Sequence, residues 1–222
     1  MNLNHHPHDD LLMSYAAGAV SEGWSLAVAA HLAVCAECRA SIQIAETLGG
    51  VLFSDIPGEQ MAPDSLDHLL TKIDQSAPEE NFVDRSLSDQ HMDGNSILPP
   101  VLRKYVGGDV DDLPWKYIGP GVQQHMIELA DPIARARLLR IKAGKPVPCH
   151  GHRGREVTMV LSGSYSDEIS RFRAGDVQDV DEETVHRPMV DEEQECICLV
   201  VTDAPISFQH WIPRLFQPMM KI

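Results

Sequence analysis

Through the first third of the chain apolar residues recur at three- and four-residue intervals, whereas beyond residue 98 they fall in short runs with partial two-residue alternation. The first pattern predicts helices. Asp9 or Asp10 caps a short one carrying Leu11, Leu12, Tyr15 and Ala16, which Gly18 would end. Ser21 starts a second, whose Leu26, Ala29, Ala30 and Ala33 form a small-residue face suited to close approach by neighbouring helices. The pattern resumes over 39–52 with Ile42, Ala45, Leu48 and Leu52 and breaks at Pro57-Gly58. The cleanest periodicity follows. Behind a cap at Asp64 or Ser65, Leu66, Leu69, Leu70 and Ile73 lie at i, i+3, i+4 and i+7. This helix is expected to pack back on its own bundle, with presentation of its stripe to a partner protein as the alternative.

Between 76 and 96 the texture changes to Ser, Asp, Glu, Asn, Gln and Pro with few large apolar residues, a linker by composition. From Leu98 on the signal is β: segments 115–118, 122–129, 135–141, 157–161, 168–173, 185–190 and 195–201 are separated by Gly, Pro or Asp turns. The turns at 143–146, 162–164 and 174–176 fit the hairpins of an antiparallel double-sheet roll, or jelly roll. The expected fold is two domains, an all-α helical bundle over 1–75 and an all-β unit over 97–222, joined by a linker over 76–96.

Composition narrows the function classes. Eighteen Lys and Arg against 33 Asp and Glu give a formal charge of −15, so direct binding to nucleic acid is not expected. Such an acidic chain can instead compete with nucleic acid for a basic protein surface. No apolar run approaches the roughly 18 residues of a membrane span, and the first residues lack the basic-then-apolar layout of a signal peptide. The expected location is the cytoplasm, with no membrane partner. Five cysteines, at 35, 38, 149, 196 and 198, are not a secreted disulfide framework.

Two groups of residues have metal-ligand spacing. At 100° per residue His31, Cys35 and Cys38 fall within roughly 60° of one helix face, so one imidazole and two sulfurs can converge on an ion. A closed zinc site wants a fourth ligand, and His5, His6 and His8 can all reach. A thioredoxin-like role for Cys35 and Cys38 would need a strand-to-helix junction, and the surroundings are helical. The second group is Gly144-x5-His150-x-His152-x3-Glu156-x6-Gly163. Residues i and i+2 of a strand share a face, so His150 and His152 point the same way, Glu156 has matching parity, and His186 would come from another strand. A His/His/Glu/His set suits zinc or another divalent transition metal such as iron, manganese or nickel. Cys196 and Cys198 read as core packing, Cys149 as structural, and His68, His91, His125 and His210 as ordinary histidines without partner spacing.

The 144–163 stretch resembles the first motif of the cupin superfamily throughout. The second cupin motif fits less well: Gly175 and His186 are in place, but Asp181, Glu183 and Val190 stand where proline, glycine and asparagine are usual. The N-terminal residues, with His5-His6, Leu11-Leu12-x-x-Tyr15-Ala-Ala-Gly18, 25–31 and the H-x3-C-x2-C run, resemble the zinc-binding anti-sigma domain. Together the two motifs, in this order and covering essentially the whole chain, resemble the ChrR family of transcriptional repressors. That resemblance implies His6 as the upstream zinc ligand, a cupin domain over 97–222, and a one-to-one complex of the N-terminal domain with an ECF (group IV) sigma factor.

The expectation is thus an anti-sigma factor rather than an enzyme. It would inhibit its sigma factor until an oxidative signal, which the resemblance associates with singlet oxygen, is sensed through the metal-binding cupin. The rival class is a metal-dependent dioxygenase-type cupin enzyme with the zinc domain as an accessory; the sequence shows no clear general base for it. A metal-storage role is disfavoured by only two defined sites.

Overall fold

The computed structural model describes residues 3–75, 96–130, 133–204 and 207–208. All of the expected linker except Ser96, together with His91 and His210, lies outside the described residues. The helices are α1 (Asp9–Ala16), α2 (Glu22–Leu32), α3 (Ala36–Ser54), α4 (Ser65–Gln75) and α5 (Pro100–Val106). The strands are β1 (Lys116–Gly119), β2 (Val122–Ile127), β3 (Arg135–Ile141), β4 (His150–Gly151), β5 (Glu156–Ser162), β6 (Ser164–Ser166), β7 (Arg171–Arg173), β8 (Val177–Val180), β9 (Val185–His186), β10 (Met189–Val190), β11 (Cys196–Thr202) and β12 (Ser207–Phe208). Helices thus precede a cupin-like β region, all of whose pairings are antiparallel: a six-stranded sheet β1-β2-β3-β11-β5-β8 and two three-stranded sheets, β10-β6-β7 and β12-β4-β9.

The helix α2 is apolar on nearly every side, with Trp24, Leu26, Ala27, Val28, Ala30 and His31 all buried, and such a helix belongs inside a core. The small residues expected to face other helices also admit the sheet. A Cβ on Gly23 would stand 2.8 Å from Ala134 Cβ and 3.3 Å from Val201 Cγ1, so glycine permits this close approach. Ala33, placed on that face from the sequence, is exposed. One apolar cluster consequently runs from Leu11 and Leu12 of α1 through α2 to Leu138 of β3, Met159 of β5 and Leu199 of β11. The opposite face of the same strands, with Ile141, Val160, Cys196, Cys198 and Val200, forms a second cluster with Tyr165, Phe172 and Val190 of the smaller sheets. Covered on both faces, β11 is buried along its whole length, and Cys196 and Cys198 are packing residues within it.

Four expectations change. The β texture does not begin at Leu98: Pro100 opens α5 at its first turn and Gly107, at φ +82°, closes it, while Leu102 is fully buried. The single strand expected over 185–190 is two short ones in different sheets, parted at Arg187-Pro188, since proline cannot donate to a ladder. The strand expected over 168–173 shortens to β7, because Asp167 accepts from the backbone N–H groups of Ile169 and Ser170 and holds a turn there. Finally, α4 buries none of its residues, so its stripe does not pack back on the bundle: Leu66 is 64% and Ile73 59% exposed. Among the described residues no helix is long and apolar enough to cross a membrane.

Candidate metal centres

Residues 31–38 do not lie on one helix. His31 is in the last turn of α2, Cys35 is the N-cap of α3, and Cys38 is in the first turn of α3. The Cys38 N–H points at Cys35 Sγ, 3.4 Å away, so the break between the helices turns both sulfurs inward. His6 arrives from the N-terminal segment, with Nδ1 3.4 Å from Cys35 Sγ and 3.3 Å from Cys38 Sγ. A nitrogen and a sulfur bound to a tetrahedral zinc at about 2.0 and 2.3 Å stand about 3.5 Å apart. One candidate ligand atom from each of His6, His31, Cys35 and Cys38 lies within 4.8 Å of the others.

The other two N-terminal histidines are engaged elsewhere. His5 Nδ1 is 3.5 Å from Asp176 Oδ2, its ring 4.5 Å from Phe172, and His8 Nδ1 is 3.8 Å from Asp179 Oδ2.

The donor set fits a cation. His31 donates Nδ1–H to the Gly175 carbonyl at 3.0 Å, leaving a bare Nε2 that is buried without a hydrogen-bond partner among the described residues. Burial lowers the His31 pKa to about 4, so a proton does not satisfy that lone pair. Burial, reinforced by Cys35, pushes the Cys38 thiol up to about 12. A thiol held so far from ionisation becomes a thiolate when a metal supplies the counter-charge.

The second group sits where the smaller sheet β12-β4-β9 faces the large one. His150 and His186 are direct partners across β4 and β9, His152 follows β4, and Glu156 opens β5. All four are buried, and their candidate ligand atoms lie within 4.8 Å of one another. His150 donates Nδ1–H to the Pro148 carbonyl at 2.8 Å, and His186 faces Asp167 Oδ2 through Nδ1 at 2.9 Å. Their Nε2 lone pairs then face each other at 3.2 Å, and His152 Nε2 is 3.2 Å from that of His186. Two lone pairs at this distance repel each other, and a cation between them would relieve the repulsion. Burial lowers the His150 pKa to about 4 and also shifts that of His152 downward, which disfavours a proton on these two rings, and the donor set fits a metal.

Asp167 escaped the sequence reading, because it belongs to a turn with no ligand spacing to the histidines. Burial opposes its charge, but hydrogen bonds from Gln178, the Ser170 N–H, His186 and the Ile169 N–H hold its pKa below the usual range. It therefore remains an acceptor that fixes the His186 ring.

The strand β8 connects the two groups. On one side Gln178 donates Nε2–H to Asp167 at 2.6 Å and accepts from Tyr165 Oη at 2.8 Å. On the other, Asp176, just before β8, accepts from the backbone N–H groups of Asn4 and His5 at 2.9 and 3.2 Å, and Val177 N–H donates to the His5 carbonyl at 3.1 Å. Arg155 spans Asp179 and Asp10, each at 2.7 Å. The segment carrying His6 is thus laid along β8 like an added strand end.

Residues 103–205 match the family model described as the ChrR cupin-like domain. Over its full length the chain is 39% identical to the anti-sigma-E factor ChrR of Cereibacter sphaeroides, with 100% of both chains covered. It is also similar to the anti-sigma chain in the crystal structure of Rhodobacter sphaeroides SigE in complex with ChrR. That match has a TM-score of 0.76 and 37% identity, covering 91% of this chain and 100% of that one.

Proposed function

This chain belongs to the ChrR family of anti-sigma factors, and from that premise we propose that it binds an ECF sigma factor one-to-one and withholds it from RNA polymerase. The observation that carries the reading is the uncovered apolar surface along the second half of α3 and α4. Leu48, Val51, Leu52 and Phe53 of α3 and Leu66, Leu69, Leu70 and Ile73 of α4 are all about half exposed or more. Large apolar patches of this kind mark interaction sites, and amphipathic helices bind partners through i, i+3, i+4, i+7 anchors. An acidic chain suits a partner whose surface is made to hold DNA.

His6, His31, Cys35 and Cys38 would hold Zn2+, a structural crosslink that ties the N-terminal segment to the junction of α2 and α3. His150, His152, Glu156 and His186 would hold zinc or another divalent transition metal in a cupin-type double-sheet roll, where the oxidative signal is received. Residues 1–75 carry sigma binding, 97–222 carry sensing, and 76–96 joins them, the protein acting in the cytoplasm. The contacts of β8 support a route between the sites: a change at His186 reaches Asp167 and Gln178, and β8 holds the backbone on either side of His6. The dioxygenase alternative draws on the same four residues and on the cavity beside them, but the family to which the chain belongs is one of anti-sigma factors.

Co-expression of the full chain with the ECF sigma factors of its host tests the reading. The expected result is a co-purifying one-to-one complex with one of them, inactive in transcription until the anti-sigma chain is removed. Failure of every candidate to co-purify would sink it.

A further inference from the structure

The cavity between the large sheet and the smaller ones holds a charged group that neither metal centre uses. It has a volume of about 420 Å³, beside His150, Glu156 and His186, with walls that include Val122, Leu139, Val190 and Val200. Drug-sized ligands occupy pockets of about 300–1,000 Å³ lined in this manner, mainly apolar with a few polar groups. Arg137 of β3 lies on the cavity side of its strand, with Leu139 and Ile141, and is 1% exposed. Its Nη2 donates to Thr202 Oγ1 at 3.4 Å, while Nε and Nη1 are buried with no hydrogen-bond acceptor among the described residues. Glu156, the carboxylate that acts on Arg137 electrostatically, is turned instead to His152 and Thr158.

A guanidinium stays protonated, and a buried charge that lacks an acceptor is costly unless something pairs it. Away from Arg137 and the edge formed by His150, Glu156 and His186, most of the cavity wall is apolar, which suits a single anionic group attached to an apolar body. A carboxylate matches the guanidinium fork and brings one negative charge, not two, close to Glu156. We infer that this cavity binds a monocarboxylate with an aliphatic body, its carboxylate held by Arg137 and its chain packed against Val122, Leu139, Val190 and Val200. Lys145, exposed at the mouth, adds a positive charge on the way in. The inference rests on the cavity alone and stands whether or not the chain binds a sigma factor.

Titration calorimetry of the full, metal-containing chain with octanoate and octan-1-ol tests it. Saturable one-to-one binding of octanoate is expected, at least tenfold tighter than octan-1-ol. Arg137→Gln should weaken octanoate at least tenfold and leave octan-1-ol unchanged. Val200→Trp, which fills the cavity, should abolish both, while Leu70→Glu on the exposed helix surface should change neither. Absence of saturable octanoate binding, equal affinity for the alcohol, or an unchanged constant in Arg137→Gln would overturn the inference. If the cavity variants fail to fold, a crystal of the wild-type chain grown with octanoate decides: a carboxylate on Arg137 supports the site, and an empty cavity refutes it.

Discussion

At the scale of single residues, His31 shows how one side chain can serve two neighbours. Its Nδ1 is spent on the Gly175 carbonyl and its Nε2 is left bare beside two cysteines, so tautomer and orientation are set before any ligand arrives. Replacing Cys35 and Cys38 by Ser should remove one metal equivalent, read by elemental analysis, and abolish sigma inhibition in a transcription assay. His31 and His150 also make the metal-free chain sensitive to acid. Both have folded-state pKa values lowered to about 4 from 6.5, so the unfolded chain takes up their protons first. Stability is then full above about pH 6.5 and is lost as pH falls through 4, by up to about 3 kcal/mol for each histidine. Urea denaturation of the metal-free chain at pH 7.5 and pH 5 should show the drop, and His31→Gln should reduce it.

At the scale of elements, α2 and α4 are opposites. Packed on every side, α2 depends on Gly23 to approach the sheet, where an added Cβ would press on Ala134 and Val201. Gly23→Val should destabilise the chain by about 1–3 kcal/mol through overpacking, read as a lower melting temperature. The helix α4 makes no buried contact of its own. Leu69→Glu with Leu70→Glu should therefore alter stability by only about 0.5 kcal/mol per site yet weaken the sigma complex at least tenfold in a binding assay. The periodicity of α4 was plain in the sequence, but not its exposure. A hydrophobic stripe specifies that something covers it without specifying what. Strands β6 and β8 went unseen for a different reason: three or four residues are too few to display an alternation.

At the scale of the molecule, the two candidate metal centres are joined by backbone rather than left to act apart. Asp176 accepts from Asn4, His5 and Arg173 backbone N–H groups, and so holds the segment of His6 against the strand that also supports Asp167. If that contact carries the signal, His186→Ala should raise amide hydrogen exchange over residues 4–8. In an Asp176→Ala background, where the segment is already released, the same substitution should add nothing further. Additive effects in the double variant would argue that the centres are independent.

The two candidate ligand sets stand out in the sequence because metal chemistry restricts residue type and spacing together. H-x3-C-x2-C and H-x-H-x3-E name six candidate positions, His186 joins them from another strand, and the family resemblance supplies the eighth, His6. Helix and strand periods likewise separated the two halves, because period is a local property. What required the tertiary structure was whatever depends on residues far apart: which of three N-terminal histidines reaches Cys35 and Cys38, the Asp167 support for His186, and the burial of Arg137 beside the cavity. Local sequence states what a residue can do, and only the fold determines which partner it meets and how much water remains to compete for it.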